Sequence, residues 1–308
     1  MLIHRGYDGF TPVRPVVTVG VFDGVHRGHK ALLESLVSIA KQTRGESVVI
    51  TFSEHPRNVI VKESSKMSLL TTLPEKILLF KDLAVDHLLI LDFSLEFSNT
   101  GACDFVRNVI VGKLGTEYLI FGYDHRIGRK GEGDYNTIRK CEGLSGLRVE
   151  QGKGVFSGEV AISSSAIREA LLVGNLDIAN ELLGYPYRLG GKVVRGRMMG
   201  RSFGFPTANI QPDESKLVPS KGVYAVDVIL DENSFIGMLS IGSNPTVNPD
   251  PSLLSIEVYI LDFDKDIYGK EISVRFRKRI RDEKKFSDTV ALARQMELDK
   301  LETIRLLS

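Results

Sequence analysis

Residues 16–33 read VVTVGVFDGVHRGHKALL, and the order of residue types along them decides the class of the amino-terminal half. The apolar run from Val16 to Val21 is the pattern of a buried strand, and from His29 to Lys41 the positions Leu32, Leu33, Leu36 and Ile39 recur at helical spacing. Between the two, Gly20, Gly24 and Gly28 bracket a pair of histidines, His26 and His29. Open α/β sheets bind ligands where a strand turns into a helix, and a helix amino terminus offers unpaired N–H groups to phosphate. Glycines let backbone approach such an anion closely, and two imidazoles three positions apart face it from one side of a helical turn. The stretch therefore predicts a nucleotide phosphate site. Two other readings stay open: a tight turn with incidental polar residues, and a zinc site completed by Asp23, for which HxxH lacks the HExxH frame.

The pattern continues outward from this turn. Strand-like runs at 47–52 (SVVITF), 87–91 (HLLIL) and 117–121 (EYLIF) alternate with amphipathic runs from Pro74 to Leu83 and from Ala102 to Leu114. Alternation of this kind predicts a parallel sheet covered on both faces. Two short helices follow Ser163–Ser165, the second closed by Gly184 with Pro186 just beyond. A domain boundary is expected there, giving domains 1–184 and 185–308. Beyond it the period changes to two. Short strands such as GVYAVDVIL (222–230) and EISVRFRKRI (271–280), separated by turn residues, predict an antiparallel barrel or sandwich, and one helix from Ser287 to Leu306 closes the chain.

Composition sets the outer limits. A chain of 308 residues is long enough for two cores. The formal charge of +1, from 40 basic and 39 acidic residues, gives no long-range attraction to nucleic acid or to an anionic membrane. No run of 18 apolar residues exists and the first ten residues have no signal-peptide core, so a cytoplasmic protein is expected. Cys103 and Cys141 are not at CxxC spacing and belong to no larger cysteine cluster, so both are expected to be ordinary thiols.

In the carboxyl-terminal half, GRMMGRSFGFPTANI (196–210) spaces Gly196, Gly200 and Gly204 ahead of Pro206, Thr207 and Asn209. Glycine-rich backbone can wrap a polyphosphate, and a hydroxyl beside an amide oxygen makes a hard donor pair suited to magnesium. The same glycine spacing also suits barrel corners. Glu257 lies among Ile256, Val258, Ile260 and Leu261, an acid in a strand that reads as apolar on both faces. It is either a general base or a solvent-facing strand residue.

GVFDGVHRGH (20–29) resembles the HxGH signature of nucleotidylyltransferases, in the form found in prokaryotic bifunctional riboflavin kinase/FAD synthetases. TFSEHP (51–56), GYDHRIG (122–128) and SSSAIR (163–168) match that family in order, although Glu54 stands where the family often has proline and DHRIG lacks an aromatic residue common there. The second half carries a string similar to the PTAN signature of riboflavin kinases, followed by GVYA (222–225), SIGSNPT (240–246), IEVYILDF (256–263) and RDEKKF (281–286). The resemblance implies a Rossmann-like nucleotidylyltransferase domain, then a riboflavin kinase barrel with a carboxyl-terminal helix. Riboflavin and ATP would give FMN, and FMN with a second ATP would give FAD and pyrophosphate, with Mg2+ accompanying each ATP and no nucleic acid or membrane partner.

The resemblance also assigns residues. His26 and His29 would stabilise charge on the α-phosphate, with Gly20, Phe22, Asp23, Gly24, Gly28 and Asp124 lining the nucleotide. Ser163, Ser164 and Ser165 would bind it too, and Arg168 would clamp the pyrophosphate. On residue types alone, the serines are equally a helix cap and Asp124 a turn residue. In the barrel, Thr207 and Asn209 would hold magnesium beside the nucleotide-binding Gly196, Gly200, Gly204 and Pro206, with Glu257 the base for the ribityl hydroxyl. Two rival readings are a chain with only one live activity and a non-catalytic flavin-binding regulator; two separate polyphosphate sites oppose the second.

Overall fold

Six parallel strands build the first sheet in the computed structural model, which describes residues 1–62, 66–144, 146–158, 160–196, 204–243 and 254–308. They are β1 (Leu2–Arg5), β2 (Val16–Val19), β3 (Ser47–Phe52), β4 (His87–Leu91), β5 (Tyr118–Phe121) and β6 (Arg148–Gln151), in the order β1-β4-β3-β2-β5-β6. The chain winds outward from β2 through β3 and β4, then crosses to β5 and β6 on the other side. The point of reversal is thus the crevice between β2 and β5, at whose carboxyl end such sheets bind ligands. β2 is buried at every position, and its polar residue, Thr18, donates its hydroxyl to the Ile120 carbonyl at 2.8 Å.

Helix α1 (Arg27–Thr43) follows the glycine turn and buries Leu32, Leu33, Leu36 and Ala40. Next come α2 (Pro56–Ile60) and α3 (Leu73–Lys81), the latter begun by a capping box between Thr72 and Glu75. The run predicted as one helix from residue 102 divides into α4 (Ala102–Phe105) and a π-helical stretch, Val106–Val111, ahead of α5 (Tyr135–Arg139). A two-stranded ribbon of β7 (Phe156–Ser157) and β8 (Val160–Ala161) precedes α6 (Ser164–Leu172) and α7 (Leu176–Leu183).

One expectation is corrected here. Cys103 and Cys141 are not free thiols but a disulfide, with Cα atoms 5.7 Å apart across 38 residues of sequence. That separation is within the ordinary range for a bridge. No spacing motif announces it, because α4 and α5 are brought together by packing and not by local sequence.

The period-two half is a closed barrel and not an open sandwich. Its strands are β9 (Arg188–Val194), β10 (Thr207–Pro212), β11 (Gly222–Leu230), β12 (Asn233–Ser243), β13 (Leu254–Ile260) and β14 (Glu271–Arg281), hydrogen-bonded in the closed cycle β10-β13-β12-β11-β14-β9. Inward-facing Val193, Ile210, Val226, Leu239, Val258 and Phe276 fill it. Helix α8 (Thr289–Leu307) packs on β11, β12 and β14.

The compact units are Met1–Ser164 and Ser165–Ser308, so α6 and α7 group with the barrel. Asn180 of α7 shows how: its amide donates to the Phe276 carbonyl at 2.9 Å and accepts from the Tyr187 N–H at 2.8 Å. Among the described residues no helix is long and apolar enough to cross a membrane.

Candidate active sites

The histidine turn is held by its own packing. Phe22 takes a left-handed backbone (φ 51°) that drives its ring into the interior, edge-on to Phe80 and to His29. A Cβ on Gly20 would lie 2.9 Å from that ring, and one on Gly28 would lie 3.2 Å from the His26 ring. The turn's own packing therefore accounts for both glycines. Asp23 is buried and accepts from the Thr71 N–H at 3.0 Å. From α3, Lys76 donates to the Val21 carbonyl at 2.6 Å, and Ser164 donates to the Asp23 carbonyl at 2.7 Å.

His26 is the N-cap of α1, its Nδ1 accepting from the His29 N–H at 3.3 Å. A neutral ring that accepts at Nδ1 carries its proton on Nε2. The rings of His26 and His29 stack, with centroids 3.6 Å apart and planes 16° from parallel. Burial pushes His26 down to about 4 against the pull of Asp124 and Asp23. Burial also pushes His29 well below its ordinary value, helped by His26, His125 and Lys76. Both shifts disfavour the imidazolium in the free protein, and an anion beside the rings would oppose them. Nδ1 of His29 is buried without a hydrogen-bond partner among the described residues, at the amino terminus of a helix with no acid in its first turn. This is the electrostatic profile of an anion site.

Beside the turn lies a cavity of about 420 Å³, lined chiefly by apolar and aromatic side chains including Val19, Phe52, Phe93, Phe97 and Phe105. Its basic and imidazole lining comes from His55 and Arg57 of the segment after β3 and from His125, Arg126 and Lys130 of the loop after β5. That loop is pressed against the start of α4: a Cβ on Gly128 would lie 2.5 Å from the Ala102 nitrogen, Arg129 donates to the Thr100 carbonyl at 2.9 Å, and Glu132 accepts from the Ala102 N–H at 3.1 Å.

In the barrel, strand register gathers the second constellation. Asn209 of β10 stands directly opposite Glu257 of β13, which stands opposite Ser240 of β12. Thr207 donates to Glu257 Oε2 at 3.0 Å, and Ser255 donates to Oε1 at 2.9 Å. The strand alternates cleanly: Ile256, Val258 and Ile260 are buried inside the barrel, while Ser255, Glu257 and Tyr259 share the other face. Glu257 is therefore not set among apolar residues on both faces. Thr207 borders two cavities. One, of about 430 Å³, is lined by Pro206, Ala208, Lys265 and Tyr268 among others; the second, of about 290 Å³, takes in Glu257, Ser240, Arg281 and Asp299. Arg281 grips the buried Asp299 of α8 with both Nε and Nη2, at 2.9 and 2.6 Å from one carboxylate oxygen.

Residues 11–166 match the FAD synthetase family and residues 183–307 the riboflavin kinase family. Over 297 residues, 96% of this chain and 93% of the relative, it is 38% identical to the bifunctional riboflavin kinase/FMN adenylyltransferase of Listeria monocytogenes. It is 37% identical to the Escherichia coli K12 protein of the same name over 93% of this chain and 90% of that one. A solved structure described as a macrolide-efflux protein from Streptococcus pneumoniae superposes over the whole of both chains with a TM-score of 0.90 at 31% identity. The chain belongs to the bifunctional riboflavin kinase/FMN adenylyltransferase family. It is an enzyme with both activities, using ATP with a divalent metal.

In its adenylyltransferase unit, Gly20, Phe22, Asp23, Gly24, His26, Gly28 and His29 meet in one turn, and Asp124 is near enough to raise His26. Ser163 and Ser164 fall within this unit, whereas Ser165 and Arg168 group with the second. Among the described residues no three His, Cys, Asp or Glu side chains gather as a metal site, so the zinc reading of the turn has no ligand set. In its kinase unit, Thr207, Asn209 and Glu257 come together, Gly196 lies under the Asn209 amide where a Cβ has no room, and Pro206 lines the larger cavity. Gly204 is exposed with φ 81°, and Gly200 lies outside the described residues. Sequence reading missed Lys76, His125, Ser240, Ser255, Arg281 and Asp299. His125, Ser240 and Arg281 stood inside quoted motifs; Lys76, Ser255 and Asp299 belong to no local spacing.

Proposed function

We propose that the two reactions run at these two places, the stacked histidines making FAD and the Thr207–Asn209–Glu257 cluster making FMN. The observation that carries the first is the unpartnered, buried Nδ1 of His29 at a helix amino terminus, beside an aromatic-lined cavity. A flavin ring fills such a cavity, and its phosphate attacks the α-phosphorus of ATP in line while pyrophosphate leaves. Attack of this kind asks for positioning and charge stabilisation, with no protein nucleophile. His26 Nε2–H and the first N–H groups of α1 face the charge that grows on the α-phosphate, and each counts most in the transition state. Gly20, Gly24 and Gly28 shape the turn, Asp124 adjusts His26, and Ser163 and Ser164 bind the departing phosphates.

The second site rests on the 3.0 Å contact between Thr207 and Glu257, at the wall between two cavities. ATP occupies the larger cavity, with Gly196, Gly204 and Pro206 around its phosphates, and riboflavin occupies the smaller, which Glu257 lines. Glu257 accepts the proton of the ribityl hydroxyl as the γ-phosphorus approaches. Thr207 and Asn209 fit magnesium, because a hydroxyl and an amide oxygen two positions apart on one face of β10 are hard, neutral donors beside the Glu257 carboxylate of β13. Such an ion would neutralise charge on the transferring phosphates. Chromatography of flavins after incubation with riboflavin, ATP and magnesium tests the whole scheme. FMN followed by FAD is expected, and FMN accumulating without FAD in fresh ATP would remove the adenylyl site.

A further inference from the structure

The aromatic cavity and the histidine turn share one side chain. β2 and β5 are paired neighbours, so their carboxyl ends deliver the turn and the loop 122–128 to the same crevice. His125 follows β5 in a turn closed by its own N–H to the Gly122 carbonyl at 3.3 Å, and its ring stands edge-on to Phe121 with centroids 5.8 Å apart. It lines the cavity, and its charge is felt at His29.

We propose that His125 holds the phosphate of the incoming FMN, and that it does so as an imidazolium formed when that phosphate arrives. The inference rests on the reading of the turn as the adenylyl site and the cavity as the flavin pocket. A flavin with its ring among Phe52, Phe97 and Phe105 must bring its phosphate to His26 and His29, and His125 stands where the two regions meet. The Arg126 backbone favours the protonated form of the His125 ring. A neutral imidazole has one N–H and one lone pair, whereas an imidazolium donates from both nitrogens, which suits a phosphate dianion that can only accept.

The surrounding charges are balanced for such a change. Burial holds the free ring down to about 4, while Asp124 pulls the other way. Burial holds His26 and His29 down as well, Lys76 presses His29 further down, and Arg126, Lys130, His55 and Arg57 line the cavity. Two negative charges at hydrogen-bond distance favour the imidazolium strongly. The proton comes from solvent on binding. As the new P–O bond forms and pyrophosphate departs with the bonding pair, the flavin phosphate loses one of its two charges. The proton then returns to solvent.

The test measures FMN binding by calorimetry between pH 6 and 8, with a non-hydrolysable ATP analogue present, in buffers of different ionisation enthalpy. The full-length parent, His125→Phe and His125→Asn are compared, so that FMN bound at the kinase site cancels. Proton uptake in the parent and its loss in both variants is expected. The KM for FMN should rise at least about tenfold, with riboflavin phosphorylation unchanged. Should His125→Phe fold poorly, His125→Asn decides alone, since it keeps a polar side chain of similar reach without a titrating ring. Equal proton uptake and a KM within twofold of the parent would overturn the proposal. His29→Ala runs alongside: if it abolishes FAD formation while the His125 variants match the parent, only this inference falls, and if it has no effect the site reading falls with it.

Discussion

At the scale of single residues, the chemistry depends on side chains whose protonation the fold controls. Glu257 is hydrogen-bonded by Thr207 and Ser255, which hold its carboxylate without neutralising it. Glutamine preserves that shape and removes basicity. Glu257→Gln should therefore lower riboflavin phosphorylation by ~10² to 10⁴, keep riboflavin and ATP binding, and still convert supplied FMN to FAD. Assaying both half-reactions decides, and a parental kinase rate would move the search to Asp262, Asp264 and Asp266. His29→Ala should lower FAD formation by ~10² to 10³ and spare FMN formation; equal loss of both would mark a folding role. His26 also makes stability depend on pH. Its folded pKa of about 4 lies below the unfolded value, so the unfolded chain binds more protons between 6.5 and 4. Stability is therefore lost as pH falls through that window, by up to about 3 kcal/mol from this group. Calorimetric melting from pH 7 to 4.5 should show a drop that is smaller in His26→Gln.

At the scale of elements, register does what side-chain identity cannot. Asn209, Glu257 and Ser240 are scattered over more than one strand, yet antiparallel pairing puts them in one row across β10, β13 and β12. Because strand side chains alternate, a slip of one residue would carry the whole row into the barrel interior. The close approach of Gly196 to the Asn209 amide fixes the β9 side of the same row. Gly196→Ala should push that amide aside and depress FMN formation severely while leaving FAD synthesis from FMN intact, a split that paired assays would read; unchanged kinase activity would show that Asn209 has room to yield. Much of this level was legible. β2 to β5 and the barrel strands other than β10 follow from apolar runs and period two, whereas β10 lay hidden in the glycine-rich stretch; period two describes sandwich and barrel alike, and closure depends on β9 pairing with both β10 and β14. The edge strands β1 and β6 were invisible because each has four residues with largely exposed side chains and no apolar period.

At the scale of the whole molecule, the sequence boundary at Gly184 and the compact units ending at Ser164 make different predictions about which piece stands alone. Asn180 bonds the barrel strand β14, and Ala179, Leu182 and Leu183 of the same helix are buried. A fragment of residues 165–308 should therefore fold and phosphorylate riboflavin, whereas one starting at Tyr187 should melt at lower temperature. Thermal denaturation with a kinase assay compares them, and an equally stable, equally active shorter fragment would restore the boundary at 184. The two active sites were legible at their glycine and signature residues, since those are local. Lys76 and Asp299 were not, because each acts across a tertiary contact that no spacing encodes.

The Cys103–Cys141 bridge makes residues 103–141 a covalent ring, and the cavity-lining loop lies inside it. A protease that cuts after the exposed Lys130 would open the ring without releasing a piece. The nicked chain should then run at full mass on an unreduced gel and separate into two bands once a thiol is added.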